Sequence, residues 1–398
     1  MTHFETDAIR TQIEQTAQHE HSTPLYLTSS FLFDDAEHMR ALFADEQDGL
    51  IYSRFTNPNT TELIDKMCLL EGAEAGVATA TGMAAVFASI MGLLVSGDHI
   101  VASRALFGST HTLLTTYLPR WGITTTMVDG TDLDAWRNAI TPATKMFIVE
   151  SPSNPALDVL DITSICAIAH EHRRLTLEPG ERDIIVMVDN CFATPYLQTP
   201  VALGADIVVH SATKYLDGQG RVLGGLVLGK KDFVRQIYLF CRNSGPSMSP
   251  FNAWILSKSL ETLAVRMDRH CSNALAVAQY LEAHTKVEYV RYPHLPSHPQ
   301  YTIAKTQMRQ GGGLVAFVLK GGLDAGRRFL DARSMSSLSA NLGDTRTIIT
   351  HPASTTHAKV PEDIRVASGI YPGSVRISVG LEHIDDILAD LEGMLGAA

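Results

Sequence analysis

The sequence predicts an α/β protein with a mostly parallel sheet in its larger part and a smaller C-terminal α+β domain. Three observations lead there. Between Thr61 and about residue 255, short apolar runs alternate with helix-like stretches. The runs are almost continuously apolar, as strands covered on both faces are. Beyond residue 255 the alternation stops, and helices separate from a few strands. The expected organisation is an arm over residues 1–60, a large domain over 61–255 and a C-terminal domain over 256–398.

Taken in order, the arm carries extended pieces, PLYLTSSFLF, and a turn-rich tail, YSRFTNPNT. An arm with so little to bury against its own domain is expected to pack on a neighbouring subunit. TELIDKMCLLEG reads as an amphipathic helix ended by Gly72. AGVATA is a strand, and TGMAAVFASIMGLLV is a helix apolar on nearly all sides, hence buried. HIVAS, TTTMVD, KMFIVE, IIVMVDN and DIVVHS follow as strands. GGLVLG comes only nine residues after Lys214, too soon for a crossover helix, so it is expected to run antiparallel. NAWILSKSLETLAVRMDRHCSNALAVAQYLEAH reads as one long helix. VEYVRYP, GGLVAFVLK, RTIITHP and SVRISVG are strands, and HIDDILADLEGMLG is a closing helix.

The 398 residues are 45% apolar and 19% charged, with a formal net charge of −11. An acidic chain without a Lys/Arg run argues against nucleic acid or an anionic membrane as partner. The opening MTHFETDAIRTQ lacks the character of a signal or transit peptide. MAAVFASIMGLLV, at 13 residues, falls short of the ~20 that span a bilayer. A soluble, cytoplasmic protein is expected. Five scattered cysteines without a CxxC pair suit buried thiols in a reducing compartment. His170 with His172, and His351 with His357, lack a third ligand at metal-site spacing, so no metal is expected.

Ligands of open α/β sheets bind beyond the carboxyl ends of the strands. There AGVATA meets a glycine-opened helix, KMFIVE meets SPSNP, IIVMVD ends on Asp189, and DIVVHS runs into SATK. Singly, each has a plain explanation: a helix cap, a turn, a solvated lysine. Together on one sheet edge they suit pyridoxal phosphate. Lys214 would carry it as a Schiff base. Asp189 would pair with the ring nitrogen. Gly82 and Met83 would offer helix-start amides to the phosphate, Ser211 and Thr213 their hydroxyls, and Asn154 would meet the ring oxygen.

YSRFTNPNT, ATGMAA, ESPSNP, VDNCFATP, HSATKY, GGLVLG, ITHPASTTH and VRISVGLEHIDDILADLE resemble, in order, the Cys/Met-metabolism family of pyridoxal-phosphate enzymes, from about residue 22 to the end. The resemblance implies the fold-type I, aminotransferase-like architecture and a homotetramer whose active sites are shared between subunits. It implies that Tyr52 and Arg54 reach a neighbouring subunit's phosphate, and that Arg376 clamps the substrate α-carboxylate.

Departures from the family pattern narrow the expectation. LFGST places Phe107 where a tyrosine usually stacks on the cofactor. Cys191 stands for the usual threonine in VDNTF. SANLGDTRT puts Asn341 in the place of a serine and makes it a substrate-binding candidate, and DGQGR replaces the usual NGH form. Together these are similar to the O-succinylhomoserine sulfhydrylase branch. The implied activity joins O-succinylhomoserine or O-acetylhomoserine to sulfide, giving homocysteine in methionine biosynthesis. The alternative is a cystathionine γ-synthase or a cystathionine or methionine γ-lyase. Arg221 is a candidate for a succinyl carboxylate.

Overall fold

The computed structural model of the chain describes residues 3–176, 184–355, 358, 362–367 and 369–398. In RRLTLEPGERDI the Pro179–Gly180 pair marks a turn in an expected surface loop; this turn, and His357 of the second histidine pair, lie outside the described residues. Among the described residues, no helix is long and apolar enough to cross a membrane, and no cluster of three His, Cys, Asp or Glu is placed to hold a metal ion.

Seven strands form the large sheet: β1 (Ala75–Thr79), β2 (His99–Ser103), β3 (Thr124–Val128), β4 (Thr144–Glu150), β5 (Ile185–Asp189), β6 (Ile207–Ser211) and β7 (Gly225–Gly229). Their order is β1-β7-β6-β5-β4-β2-β3. The strand β7 is antiparallel to both its neighbours, as the short connection from β6 requires, and the other pairings are parallel.

The strands are apolar throughout because both faces are covered, and their side chains alternate between two cores. Ile100, Met146, Ile148, Ile185, Met187, Ile207 and Val209 face the helices Gly82–Leu93 and Lys231–Ser244. Val101, Phe147, Val149, Val186, Val188 and Val208 face the opposite way, toward Trp136, Ile165 and Ala169. The period of two then puts Glu150, Asp189 and Ser211, the last residues of β4, β5 and β6, on the first of these faces.

The expected long helix is two helices, Pro250–Leu260 and Leu263–Ala283. The chain breaks at Thr262 (φ −114, ψ 8), and buried Arg266 occupies the break. Its Nη2 donates to the Ser259 carbonyl at 2.9 Å and its Nη1 to the Tyr215 carbonyl at 2.7 Å. Carbonyls freed by a break need such donors, and a guanidinium supplies several at once. Two short helices, Phe4–Arg10 and Ala36–Phe43, stand in the arm.

The smaller sheet has β8 (Val287–Arg291), β9 (Leu314–Leu319), β10 (Ser337–Leu338), β11 (Ile348–Thr350) and β12 (Ser374–Ser378), in the order β10-β11-β12-β9-β8. Val375, Ile377 and Val379 enter a core with Phe317, Phe329 and Leu391. Alternation therefore turns Arg376 to the other face, toward the large sheet.

The arm and the first helix of the large part meet in a buried polar knot. Glu62 (2% exposed) lies 3.2 Å from Lys66 Nζ (0% exposed) and accepts the Ser257 hydroxyl at 2.6 Å; the Thr23 hydroxyl also donates to it. Burial alone raises the Glu62 pKa. The Ser257 and Thr23 hydroxyls and the Lys66 charge outweigh it and hold the carboxyl below its ordinary range. Glu62→Ala leaves the Lys66 ammonium buried with less compensation, and removing one partner of a buried pair costs about 3–5 kcal/mol. Urea unfolding should show a loss of that size; a loss under about 1 kcal/mol would mean the pair is solvated. Because the folded-state pKa is depressed, this contribution is present above the ordinary carboxylate pKa and fades as pH falls through the depressed value.

Candidate active site

A cavity of about 610 Å³ opens beyond the carboxyl ends of β4, β5 and β6. Its wall includes Gly82, Met83, Phe107, Asn154, Asp189, Ser211, Thr213, Lys214 and Arg376 of the expected site. One end is built by close approach of a helix to a strand. A Cβ at Gly82 would stand 2.7 Å from Ser211 Cβ and 2.9 Å from Ser211 Cα, so only glycine lets the helix start this near β6. At that start Thr81 Oγ1 accepts the Ala84 amide at 3.0 Å, and the Thr81 carbonyl accepts that of Ala85 at 3.1 Å. The amides of Gly82 and Met83, earlier in the turn, have no intrahelical acceptor and suit an anion.

Lys214 follows β6 and is partly buried. Its Nζ donates to Asn341 Oδ1 at 2.6 Å. Burial lowers its pKa, the Arg376 charge lowers it further, and only Cys191 opposes them. Asn341 reaches the lysine because its loop lies against the chain at Tyr215. Gly343 (φ +74) would place a Cβ 2.7 Å from the Tyr215 nitrogen. Both the conformation and the approach demand glycine there.

Arg376 is 7% exposed, and burial pulls its pKa down to about 10. Its Nη1 donates to Asn154 Oδ1 at 2.9 Å and its Nη2 to the Asn341 carbonyl at 3.2 Å, while its buried Nε has no partner among the described residues. A buried guanidinium with a donor to spare suits a carboxylate. Asn154 thus has its carbonyl oxygen engaged, leaving its amide to donate into the cavity.

Asp189 Oδ1 accepts the Cys191 amide at 3.0 Å. Burial raises its pKa, while the Cys191 amide and His210 oppose the rise. Cys191 is buried, its thiol is pushed well up, and it donates to the Ser211 carbonyl at 3.6 Å. Phe107 is 43% exposed at the mouth.

Three expected residues lie elsewhere. Tyr52 and Arg54 do not line this cavity. Arg54 donates to the Arg242 carbonyl and sits 4.9 Å from the Phe55 ring centroid, beside half-exposed Tyr52. Arg221, the candidate for a succinyl carboxylate, is committed to Asp217, whose Oδ1 accepts its Nε at 3.0 Å and its Nη2 at 2.8 Å. Asp217 is fully buried, and its pairing with Arg221 withdraws that guanidinium from the cavity.

Two groups beside the site escaped the sequence reading. Glu150 lines the cavity and its Oε2 accepts the Phe107 amide at 2.7 Å. The signal was available: it follows Met146 and Ile148 at the strand period. Beneath the sheet, His210 Nε2 and Glu71 Oε1 lie 2.6 Å apart with both side chains fully buried, and Asn190 donates to the same Glu71 oxygen at 2.9 Å. Nothing local in HSATK marks this partner, which comes from a residue 139 positions away.

The model of a family described as Cys/Met metabolism PLP-dependent enzyme matches residues 5–396. The chain is 46% identical over 394 residues to an O-succinylhomoserine sulfhydrylase of Pseudomonas aeruginosa, covering 99% of this chain and 95% of that protein. It is 46% identical over 373 residues to an L-methionine gamma-lyase of Porphyromonas gingivalis, covering 93% and 91%. The fold matches the crystal structure of a putative O-acetylhomoserine (thiol)-lyase from Campylobacter jejuni with N′-pyridoxyl-lysine-5′-monophosphate. The TM-score is 0.93 at 33% identity, over 99% of this chain and 100% of that one.

Gly82→Ala should force the helix start off β6 and weaken pyridoxal 5′-phosphate binding at least about tenfold, the equivalent of about 1.4 kcal/mol. Titration followed by visible absorbance reads this directly; unchanged affinity would place the phosphate elsewhere.

Proposed function

The chain belongs to the Cys/Met-metabolism family of pyridoxal-phosphate-dependent enzymes, and within it we propose that it joins an O-acylhomoserine, the succinyl ester first, to sulfide and so makes homocysteine for methionine biosynthesis. Pyridoxal phosphate is the family's cofactor, and the residues present fit it. The cavity offers unpaired helix-start amides at Gly82 and Met83, the hydroxyls of Ser211 and Thr213, and a desolvated amine at Lys214. Asp189 has no ion-pair partner among the described residues and suits a protonated ring nitrogen. When bound, the cofactor anchors the substrate amine covalently and draws off the charge left as protons leave Cα and Cβ.

The observation that carries the reading is that Asn341 ties together Lys214 and Arg376, the one amine and the one guanidinium of the cavity wall among the described residues. Arg376 receives the substrate α-carboxylate on its free donor edge, which sets Cα beside Lys214. Burial and the Arg376 charge favour the neutral form of the Lys214 amine, the form in which Nζ takes the proton from Cα and later returns it. Asn341 Oδ1 limits where Nζ points between these transfers. The acyl oxygen leaves Cγ, and sulfide takes its place there. Phe107, without a phenol, provides a stacking face and no further acid, which suits a nucleophile that ionises unaided near neutral pH.

Similarity to the sulfhydrylase over nearly the full length of both chains supports this branch, as do Phe107, Cys191 and Asn341. A γ-lyase is the second reading, supported by equal identity to the methionine gamma-lyase. We assign Tyr52 and Arg54, remote from their own chain's cavity, to the phosphate of a neighbouring subunit in a cytoplasmic homotetramer.

An activity matrix decides among these. Succinyl and acetyl esters are each offered sulfide, cysteine or no nucleophile, and methionine is offered alone. Homocysteine from ester and sulfide supports the proposal. Cystathionine as the main product indicates the synthase, and 2-oxobutanoate with ammonia from methionine indicates the lyase. Lys214→Ala should abolish turnover and the yellow colour of the covalently held cofactor. Arg376→Lys removes a bidentate, charge-assisted contact of about 1.5–3 kcal/mol, so kcat/KM for the ester should fall roughly 10- to 100-fold.

A further inference from the structure

Two carboxyl groups stand side by side in the cavity wall, and the reading above uses only one. Glu150 and Asp189 end β4 and β5 and are paired in register. Both lie on the same face of the sheet and line the cavity. Glu150 is 5% exposed. Among the described residues neither carboxyl has an ion-pair partner. What Glu150 does have is a donor: its Oε2 accepts the Phe107 amide at 2.7 Å, and the Asn154 amide also faces it.

Two adjacent anions in a desolvated wall repel each other, and each also loses its hydration. Such a pair settles by keeping one proton, so that its charge is −1 instead of −2. The surroundings sort the two groups. Asp189 has the Cys191 amide on its Oδ1 and, across the sheet, the His210 imidazole paired with Glu71. Glu150 has only neutral amides. Burial first, and then the Asp189 charge, push the Glu150 carboxyl well above the carboxylate range. Among the described residues the Cys191 thiol is a further titratable group beside both carboxyls, and the Lys214 amine lies beside that thiol.

We propose that Glu150 is a positioning residue held as a neutral carboxylic acid: its carbonyl oxygen fixes the Phe107 amide, and its proton leaves Asp189 as the single anion of the pair. The inference rests on the reading above, in which Asp189 and Phe107 meet the cofactor ring. It explains why an acid stands at a position with no cation to neutralise it. A carboxylic acid still accepts the Phe107 amide on its carbonyl oxygen, while its proton removes one of two adjacent negative charges.

The test compares the pyridoxal-phosphate-loaded wild type with E150Q and E150A, after urea unfolding confirms that all three are folded. At neutral pH the infrared spectrum of the wild type should contain a protonated-carboxyl C=O stretch that shifts with ¹³C-glutamate labelling and is missing in E150Q. On raising the pH that band should disappear together with an inflection in the visible band of the bound cofactor. E150Q should lack the inflection, which separates it from titration of Cys191 or Lys214. E150A, with no acceptor for Phe107, should bind pyridoxal phosphate at least about tenfold more weakly than E150Q and lose induced circular dichroism. A wild type without the labelled band, or E150Q binding as weakly as E150A, overturns the inference. Failure of the wild type to bind pyridoxal phosphate would instead reject the cofactor reading, and the labelled band, read on the cofactor-free protein, would still decide the state of Glu150.

Discussion

Alternation along a buried parallel strand leaves little freedom in where its last residue points. In β4, β5 and β6 the apolar pairs Met146/Ile148, Ile185/Met187 and Ile207/Val209 must face one core. Glu150, Asp189 and Ser211 continue each series by one more step and arrive on the same face at the same edge. The parallel register then brings Glu150 beside Asp189. The packing of the core thus delivers polar groups to the cavity as a consequence of filling it. The helix beginning at Gly82 closes that edge, because it lies close enough to β6 to exclude any side chain at its first position.

The rest of the site depends on charges kept out of water. Arg376 and Lys214 share one wall; the Arg376 charge lowers the preference of Lys214 for its charged form, and burial acts on both in the same direction. Asn341 mediates between them without a charge of its own: its carbonyl accepts from the guanidinium and its side-chain oxygen from the amine. A serine at this position has a hydroxyl on a shorter arm, so the tether and its reach would change together. The second sheet contributes in one respect above all: β12 turns Arg376 away from the core of Phe317 and Phe329 and toward the large sheet.

Much of this was legible before any coordinates. The sheet, its one antiparallel strand, and nine cavity-lining residues from Gly82 to Arg376 follow from runs of apolar residues, their ends and the motifs they carry. The long helix after residue 250 was not legible as two, because no Gly or Pro marks the break. Arg266, a buried side chain recruited from four residues further on, stabilises it. Arg221 failed as a cavity cation for a similar reason. Asp217, four residues before it, is fully buried, and a buried carboxylate holds its nearest guanidinium. Tyr52 and Arg54 stand apart from the cavity of their own chain, so no intrachain contact speaks to their role.

By itself, the sequence determined the fold class, the family and the identity of the residues at the strand ends, since these are encoded in local period and motif. Only the tertiary structure decided which of those residues meet. Asn341 finds Lys214 across 127 positions, Arg376 finds Asn154 across 222, and Glu71 finds His210 across 139. Contacts of that separation arise when two sheets and their covering helices exclude water together. Burial then dictates the partners, because a charge or hydrogen-bonding group taken from water must find its complement among whatever side chains the packing has brought within reach.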